Sequence, residues 1–413
     1  MGSSLYSVAQ VADILSVSKE TLRRWDHNGS LVPHSREDNN YRRYHRSQLE
    51  QFEQAQLLFN SEWDKELQTK PLRPYQAIEL FAGAGGLALG LEKAGINSVL
   101  LNEIDKHACS TLKYNRPKWN VIEGDVSQID FRPYKNKIDI LSGGFPCQAF
   151  SYAGKKLGFE DTRGTLFFEF ARAVKEADPK VLLAENVRGL LKHENGKTLE
   201  VIKNVIAEMG YTLVEPRVLK AMFFKVPQKR ERLILLAIRN DLAEKVTFNW
   251  PSPYKRIMTL QDAFLAGELY ETDVPESIGQ KYPKRKEEIL SLVPQGGYWR
   301  DLPIDLQKEY MKKSFYLGGG KTGMARRLAM DEPSLTLTCA PAQKQTERCH
   351  PIETRPLQVR EYARIQTFPD DWQFSGPITA QYKQIGNAVP VNLSHAIGRA
   401  IVRLLNNIEN LNQ

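Results

Sequence analysis

The chain has 413 residues, enough for two or three hydrophobic cores, and is 41% hydrophobic and 26% charged, with no repeat or low-complexity tract. Four cysteines (Cys109, Cys147, Cys339, Cys349) at unrelated spacings exclude a disulfide framework and a cysteine-based metal site, so no metal is expected. No apolar run reaches membrane-spanning length and residues 1–20 alternate polar with apolar, which reads as a soluble cytoplasmic protein without a membrane partner. The net charge of +8 favours a polyanion. Residues 1–75 hold 10 basic and 10 acidic residues, leaving 47 of the 57 basic against 39 of the 49 acidic side chains for the rest. The excess therefore belongs to the larger part of the chain.

From the N-terminus, Tyr6–Leu15 predicts a helix, Ser16-Val-Ser18 a turn and cap, and Lys19–His27 a second helix carrying Arg23 and Arg24. Asn28-Gly-Ser stops it, and Tyr41-Arg42-Arg43-Tyr-His-Arg46 follows as a basic, aromatic wing. This module resembles the winged helix-turn-helix of the MerR/excisionase type, whose second helix enters the major groove, so Arg23, Arg24, Arg42 and Arg43 are its expected DNA contacts. A docking module that lost its operator is the plainer alternative. Operator reading upstream of its own gene is preferred, because a winged helix-turn-helix is built to read bases. The charged stretch Ser47–Thr69 predicts a linker helix.

Next comes Tyr75–Phe81, a strand, then Ala82-Gly-Ala-Gly-Gly86 and a helical pattern to Ala94. Strand, glycine turn and helix open a nucleotide-binding βαβ unit, in which Gly83, Gly85 and Gly86 let backbone approach a ligand at a helix N-terminus. The next strand ends in Asn102-Glu103-Ile104-Asp105 and a third at Gly124-Asp125-Val126. A carboxylate about twenty residues beyond the glycines is placed to accept from ribose hydroxyls. Capping of the following helices is the alternative for Glu103 and Asp125. The glycine spacing departs from a dinucleotide fingerprint, leaving a dinucleotide or an adenosyl compound as the ligand.

The strand at Ile138–Leu141 runs into Gly143-Gly-Phe-Pro-Cys147-Gln-Ala-Phe-Ser151, a loop at the carboxyl edge of the sheet. A thiol there is a candidate covalent nucleophile where positive charge favours its thiolate, against the alternative of a small buried hydrophobe. Further on come Glu185-Asn-Val after the strand Lys180–Leu183, Gln228-Lys-Arg230-Glu-Arg232 before the strand Leu233–Ile238, and Gln384-Ile-Gly-Asn387-Ala-Val389-Pro390. In this order, from about Gln76 to Leu405, the blocks resemble those of the DNA (cytosine-5)-methyltransferases of bacterial restriction–modification systems.

The resemblance implies an α/β, Rossmann-like domain dependent on S-adenosylmethionine, with S-adenosylhomocysteine as product, and a smaller target-recognition domain. Phe81, Gly83, Gly85, Gly86, Glu103, Ile104, Asp125, Val126, Asn387 and Val389 match the cofactor positions: Glu103 on the ribose, Ile104 on the adenine face, Asp125 on its amino group. Cys147 matches the thiolate that adds to C6 of a flipped-out cytosine. Glu185 matches the group that protonates N3, and Arg230 and Arg232 the pair that holds the base carbonyl, the phosphate and the thiolate. Capping for Glu185, and a solvated edge or a pair with Glu231 for the arginines, are the structural alternatives. Many family members carry glycine where this chain has Lys225 and asparagine where it has Lys220, two cations that extend the expected DNA surface.

Between Arg239 and Arg355 the texture changes to Lys, Gly and Pro with poor periodicity, where the resemblance implies target recognition. Lys321, Arg326 and Arg327 beside Leu317-Gly-Gly-Gly suit phosphate or groove contact. The expected organisation is 1–52 helix-turn-helix, 53–74 linker helix, 75–240 catalytic and cofactor domain, 241–354 target-recognition domain, and 355–405 returning to the catalytic domain. On that division, removing residues 1–72 leaves a folded enzyme. The expected function is methylation of cytosine C5 in duplex DNA, protecting it from a partner restriction endonuclease. A tRNA cytosine-5 methyltransferase, or a DNA-binding regulator with a vestigial enzyme half, are the alternatives.

Overall fold

A computed structural model gives the structure of the protein and describes residues 5–37, 41–145 and 166–411. Cys147 and the loop that follows it lie outside the described residues.

The N-terminal module is a small helix–sheet unit. Strand β1 (Leu5–Ser7) leads into α1 (Val8–Leu15), capped by Ser7, and α2 (Lys19–His27), capped by Ser18. The wing is β2 (Ser35–Arg36) and β3 (Arg42–His45), with β3 between β1 and β2 in an antiparallel sheet. Instead of one linker helix, the chain then forms α3 (Arg46–Leu49), α4 (Glu53–Phe59) and α5 (Trp63–Glu66). The first two complete the module: Leu49, Ala55 and Leu58 share its core with Val11, Ile14, Leu15 and Leu22.

The third belongs to the enzyme. Trp63 is buried in the main core, edge-on to Tyr254 at 5.3 Å and under the Arg399 guanidinium at 4.2 Å. Buried Glu66 accepts from the Ser252 amide at 3.1 Å and pairs with Arg403 at 2.7 Å. Arg73 grips Asp139 at 2.6 Å and Glu409 at 2.8 Å. Polar and apolar residues alternate here because one face meets water and the other the C-terminal helix, a pattern that looks from sequence like an exposed linker.

The main sheet is built from β4 (Tyr75–Leu80), β5 (Ile96–Glu103), β6 (Val121–Glu123), β7 (Ile140–Gly143), β8 (Val181–Val187), β9 (Tyr211–Leu213), β10 (Arg217–Lys220) and β12 (Glu231–Arg239). Its order is β10-β12-β8-β7-β4-β5-β6, parallel from β6 to β8, with β12 antiparallel to β8 and also pairing β9. Strand residues alternate between two cores: Tyr75 and Ala77 face one, Ile78 and Leu80 the other. Helices α6 (Gly86–Lys93), α7 (Lys106–Asn115), α8 (Leu166–Ala177) and α9 (Lys197–Glu208) follow the strands, and α10 (Asn240–Ala243) follows β12.

The target segment has its own core around Tyr282, Leu290, Trp299 and Met311 and little regular structure: α11 (Leu260–Phe264), α12 (Lys284–Ser291) and α13 (Ile304–Met311). A two-stranded ladder of β11 (Gln228–Lys229) and β13 (Ser334–Leu335) ties it to the catalytic unit. The chain returns through α14 (Val359–Ile365), α15 (Ile378–Asn387) and α16 (Val391–Asn410), which packs on α6. No helix among the described residues is long and apolar enough to cross a membrane.

Deleting residues 1–72 therefore strips Trp63 and Glu66 from the enzyme's core, and an unstable or insoluble product is expected. Glu66→Ala leaves Arg399 and Arg403 without their buried partner. It should cost about 3–5 kcal/mol in denaturant unfolding of the full chain.

Candidate active site

Strands β4 and β7 lie side by side, Leu80 level with Gly143, and the chain winds away from them in opposite directions. That reversal opens a crevice at their carboxyl ends, where open α/β sheets bind ligands. The turn Phe81–Gly86 leaves one strand; Gly144 and Phe145, leading to Cys147, leave the other.

On the β4 side the glycines serve distinct needs. Gly83, at φ 53°, would carry a Cβ into open space, so the turn presents bare backbone to the crevice. A Cβ on Gly86 would lie 2.2 Å from the Val389 carbonyl, so only glycine lets the C-terminal block close on this turn. Gly85, at φ 84°, precedes α6, and Phe81 is also left-handed at φ 59°. Glu103 accepts from the Gly83 amide at 2.7 Å and from the Ile104 and Asp105 amides at 2.8 Å each. Its carboxylate thus holds two crevice loops in register, 20 residues apart. Ile104 is 71% exposed, an apolar face beside the carboxylates. Asp125 caps a short turn through the Ser127 amide at 2.9 Å, a bond that lowers its pKa, and remains exposed beside buried Val126. Capping and ligand binding are compatible there. Asn387 ends α15 and accepts from the Cys339 thiol at 3.3 Å, while Val389 is buried against the turn.

The sequence did not signal Glu79, fully buried on β4 beneath the turn, whose pKa burial pushes up to about 8, with Glu103 adding to the rise.

On the β7 side, β8 delivers Glu185 one step beyond Gly143, and a Cβ on Gly144 would lie 3.1 Å from its carboxylate. Buried Asn186 donates to the Phe145 carbonyl at 2.7 Å, fixing the backbone two residues before Cys147. This is a second residue that sequence reasoning passed over, because only the fold brings it to Phe145. Arg232, level with Val187 on β12, forms an ion pair with Glu185, their side chains 10% and 13% exposed.

Arg230 takes a different place. It is 1% exposed and donates to the Leu337 carbonyl at 3.2 Å and the Gly386 carbonyl at 2.9 Å, while burial and Arg232 lower its pKa. Gln228, equally buried, bonds the Gln366 amide oxygen and the Leu337 amide at 2.9 Å each. This block therefore divides: Gln228 and Arg230 knit the target segment and C-terminal helices to the sheet, and Arg232 faces the acid.

Among the expected DNA contacts, Arg327 needs correction and several others have partners within the chain. Arg327 is 4% exposed and donates to the Leu290 carbonyl at 2.8 Å and the Thr354 hydroxyl at 2.7 Å, so it braces the target segment's interior rather than facing phosphate. Arg326 is largely buried, which lowers its pKa, and Lys321 is drawn onto the Ser314 and Leu317 carbonyls. In the wing, Arg42 is held by Asp26 at 2.5 Å and Arg43 by Glu37 at 2.8 Å. Arg23 and Arg24 are exposed, Arg23 pairing with Glu20 at 3.1 Å across one turn. Lys225 adopts φ 58°, the left-handed geometry that glycine takes freely, and its amine lies 3.6 Å from Glu268 and 5.2 Å from the Tyr254 ring centre. Lys220 donates to Ser16 of the N-terminal module. Both added cations thus have partners within the chain.

Comparison with known proteins agrees with this geometry. The C-5 cytosine-specific DNA methylase family matches residues 75–403, and the MerR family of regulatory proteins matches residues 7–44. The type II methyltransferase M.Eco47II of Escherichia coli is 72% identical over 98% of this chain and 96% of its own length. M.PspPI of Psychrobacter sp. (strain TA137) is 63% identical over 97% and 96%. A solved Escherichia coli prophage protein assigned as a DNA modification methyltransferase superposes with TM-score 0.58 and 26% identity, over 80% of this chain and 99% of that one. With the crevice, its glycine turn and the Glu185–Arg232 pair in place, the chain belongs to the C-5 cytosine-specific DNA methylases, enzymes that methylate carbon 5 of cytosine in DNA.

Proposed function

We propose that this enzyme is the modification half of a type II restriction–modification pair, acting in the cytoplasm on duplex DNA at the sequence M.Eco47II methylates. The protection it confers is against a restriction endonuclease of that specificity. The carrying observation is the Glu185–Arg232 pair beside Gly144, at the root of the loop that bears Cys147. The supporting comparison is the 72% identity with M.Eco47II over an alignment that covers 98% of this chain, the target segment included.

S-adenosylmethionine is the methyl donor implied by the family, and the crevice fits it. Bare backbone at Gly83, the apolar faces of Phe81 and Ile104, and the carboxylates Glu103 and Asp125 suit a purine, a ribose and a cationic centre. When bound it supplies an electrophilic methyl group. The chain's own residues do the rest. Cytosine C5 is a poor nucleophile, and addition of the Cys147 thiolate to C6 makes the ring an enamine at C5. Charge building on the ring is relieved by a proton that Glu185 delivers to N3. Arg232 holds the Glu185 carboxyl group in place and stabilises the carboxylate left once its proton has gone to N3. Arg230 acts as a positioning residue through the Leu337 and Gly386 carbonyls. After methyl transfer C5 carries both the methyl group and its proton. A base removes that proton, the C5–H electrons form the C5=C6 bond, the C6–sulfur bond breaks to release the Cys147 thiolate, and N3 returns its proton to Glu185.

The resemblance to MerR proteins also suits an operator upstream of the gene, a role that competes with participation in methylation itself.

Cys147→Ser should abolish turnover, since a neutral hydroxyl does not add to C6 at useful rates. Duplex DNA with 5-fluorocytosine at the target should trap the native chain covalently at Cys147, because fluorine replaces the proton that must leave. Methylation by the serine variant, or a trapped peptide with another cysteine, would refute the mechanism. Bisulfite sequencing of DNA from expressing cells tests the recognition sequence, and protection of sites other than those of M.Eco47II would overturn the assignment.

Asp125→Ala should weaken S-adenosylmethionine binding by about 1–3 kcal/mol in calorimetry, with the recognition sequence unchanged. Asn186→Ala should lower kcat more than it changes the KM for DNA, because it removes the bond that holds the Phe145 carbonyl two residues before Cys147. An equal fall in affinity and no change in kcat would count against that role.

A further inference from the structure

The N-terminal module is not hung on a flexible tether. Its core ends at Leu58 and the enzyme's begins at Trp63, with only a short turn between them. The two cores also touch: Met222 and Ile257, from either side of the β10–β12 region, are buried in the same apolar cluster as Leu15, Leu22 and Leu58.

A chain of partly buried charges seals the seat. Asp13 of α1 pairs with Lys229 at 3.0 Å, Lys229 approaches Glu332 at 3.5 Å, and Glu332 pairs with Lys19 of α2 at 2.8 Å. Lys220 adds its bond to Ser16 in the turn between the helices. Lys229 is one residue from Arg230 and three from Arg232, and β11 and β13 pair at Lys229 and Leu335. The module is thus bolted to β11, which runs within two residues into the strand carrying Arg232, and to the root of the target segment. With α2 seated at Lys19, its outer stripe still shows Arg23, Arg24 and His27 to solvent. A rigid seat suits a surface that must stay in register with the active site, and costs less ordering entropy on binding than a tethered one.

We propose that the N-terminal module is a fixed arm of the methyltransferase, and that Arg23 and Arg24 contact the phosphates of the duplex flanking the target cytosine. This rests on the enzyme acting on duplex DNA.

Binding of the full chain is measured to two duplexes with one central target site, of about one and a half and about four helical turns. The arm predicts that the wild-type chain binds the longer duplex about tenfold more tightly. Arg23→Ala with Arg24→Ala should bring that ratio close to one and reduce the log–log salt slope on the longer duplex by about 2, as expected for two phosphate contacts. Asp13→Ala, which loosens the seat but keeps both arginines, should also lower the ratio, with thermal melting confirming that each variant is folded. A wild-type ratio of one, or a preference that survives both arginine substitutions, overturns the arm. A discrete footprint on the gene's upstream DNA, with no effect of target-duplex length, would assign the module to an operator alone. Methylation of the short duplex by the wild-type chain is read separately, so failure of the arm is distinguishable from failure of the enzyme.

Discussion

The Glu185–Arg232 ion pair is the interaction around which the active edge is organised. Desolvating a carboxylate and a guanidinium together is costly, and such a pair persists only where the surrounding structure fixes both partners. Here the sheet does so. Glu185 rides on β8, parallel to β7, while Arg232 rides on β12, antiparallel to β8, so two chain directions converge at one level. The reversal at β12 is essential, because a parallel strand would deliver Arg232 to the opposite end of the sheet. Asn186 then couples the same strand to Phe145, so the acid, its counter-charge and the Phe145 backbone are tied through β8.

A second constraint is how a segment with so little regular structure satisfies its backbone. Buried arginines do much of this work. Arg230 bridges Leu337 and Gly386, Arg327 reaches Leu290 and the 350–354 loop, Arg348 caps the Thr336 carbonyl, and Arg364 gathers the carbonyls of Ala263 and Thr272. A planar guanidinium with five donors can collect carbonyls arriving from several directions, which a strand ladder cannot. The positive charge of the large part of the chain is therefore only partly a DNA surface. Some of it is internal scaffolding, paid in desolvation and returned as a defined loop architecture.

The same logic distinguishes the N-terminal module from a simple appendage. Its wing cations are neutralised locally by Asp26 and Glu37, and its inner face is joined to the enzyme by Asp13, Lys229, Glu332 and Lys19. On α2, Arg23 and Arg24 stay exposed, Arg23 beside Glu20. Exposure, more than composition, decides which of its basic residues can meet a polyanion.

Local signals were enough to determine the strand–glycine–helix opening, the capped helices of the N-terminal module, the order of the catalytic blocks and the family, because each depends on residues close in the chain. Gly83 and Gly85 mark a left-handed backbone wherever they stand, and Ser18 caps α2 from sequence alone. The tertiary structure alone decided which members of a block share a site. Gln228, Arg230 and Arg232 form one motif in the sequence, yet the chain passes from the β11 ladder to β12 between them, burying Arg230 in carbonyls and turning Arg232 to Glu185. It likewise decided that Arg327 serves the interior, that Lys220 reaches Ser16 of the N-terminal module, and that Trp63 and Glu66 belong to the enzyme. Their partners lie tens to hundreds of residues away, and a cation's partner, unlike a glycine's φ, leaves no mark on its own neighbourhood in the sequence.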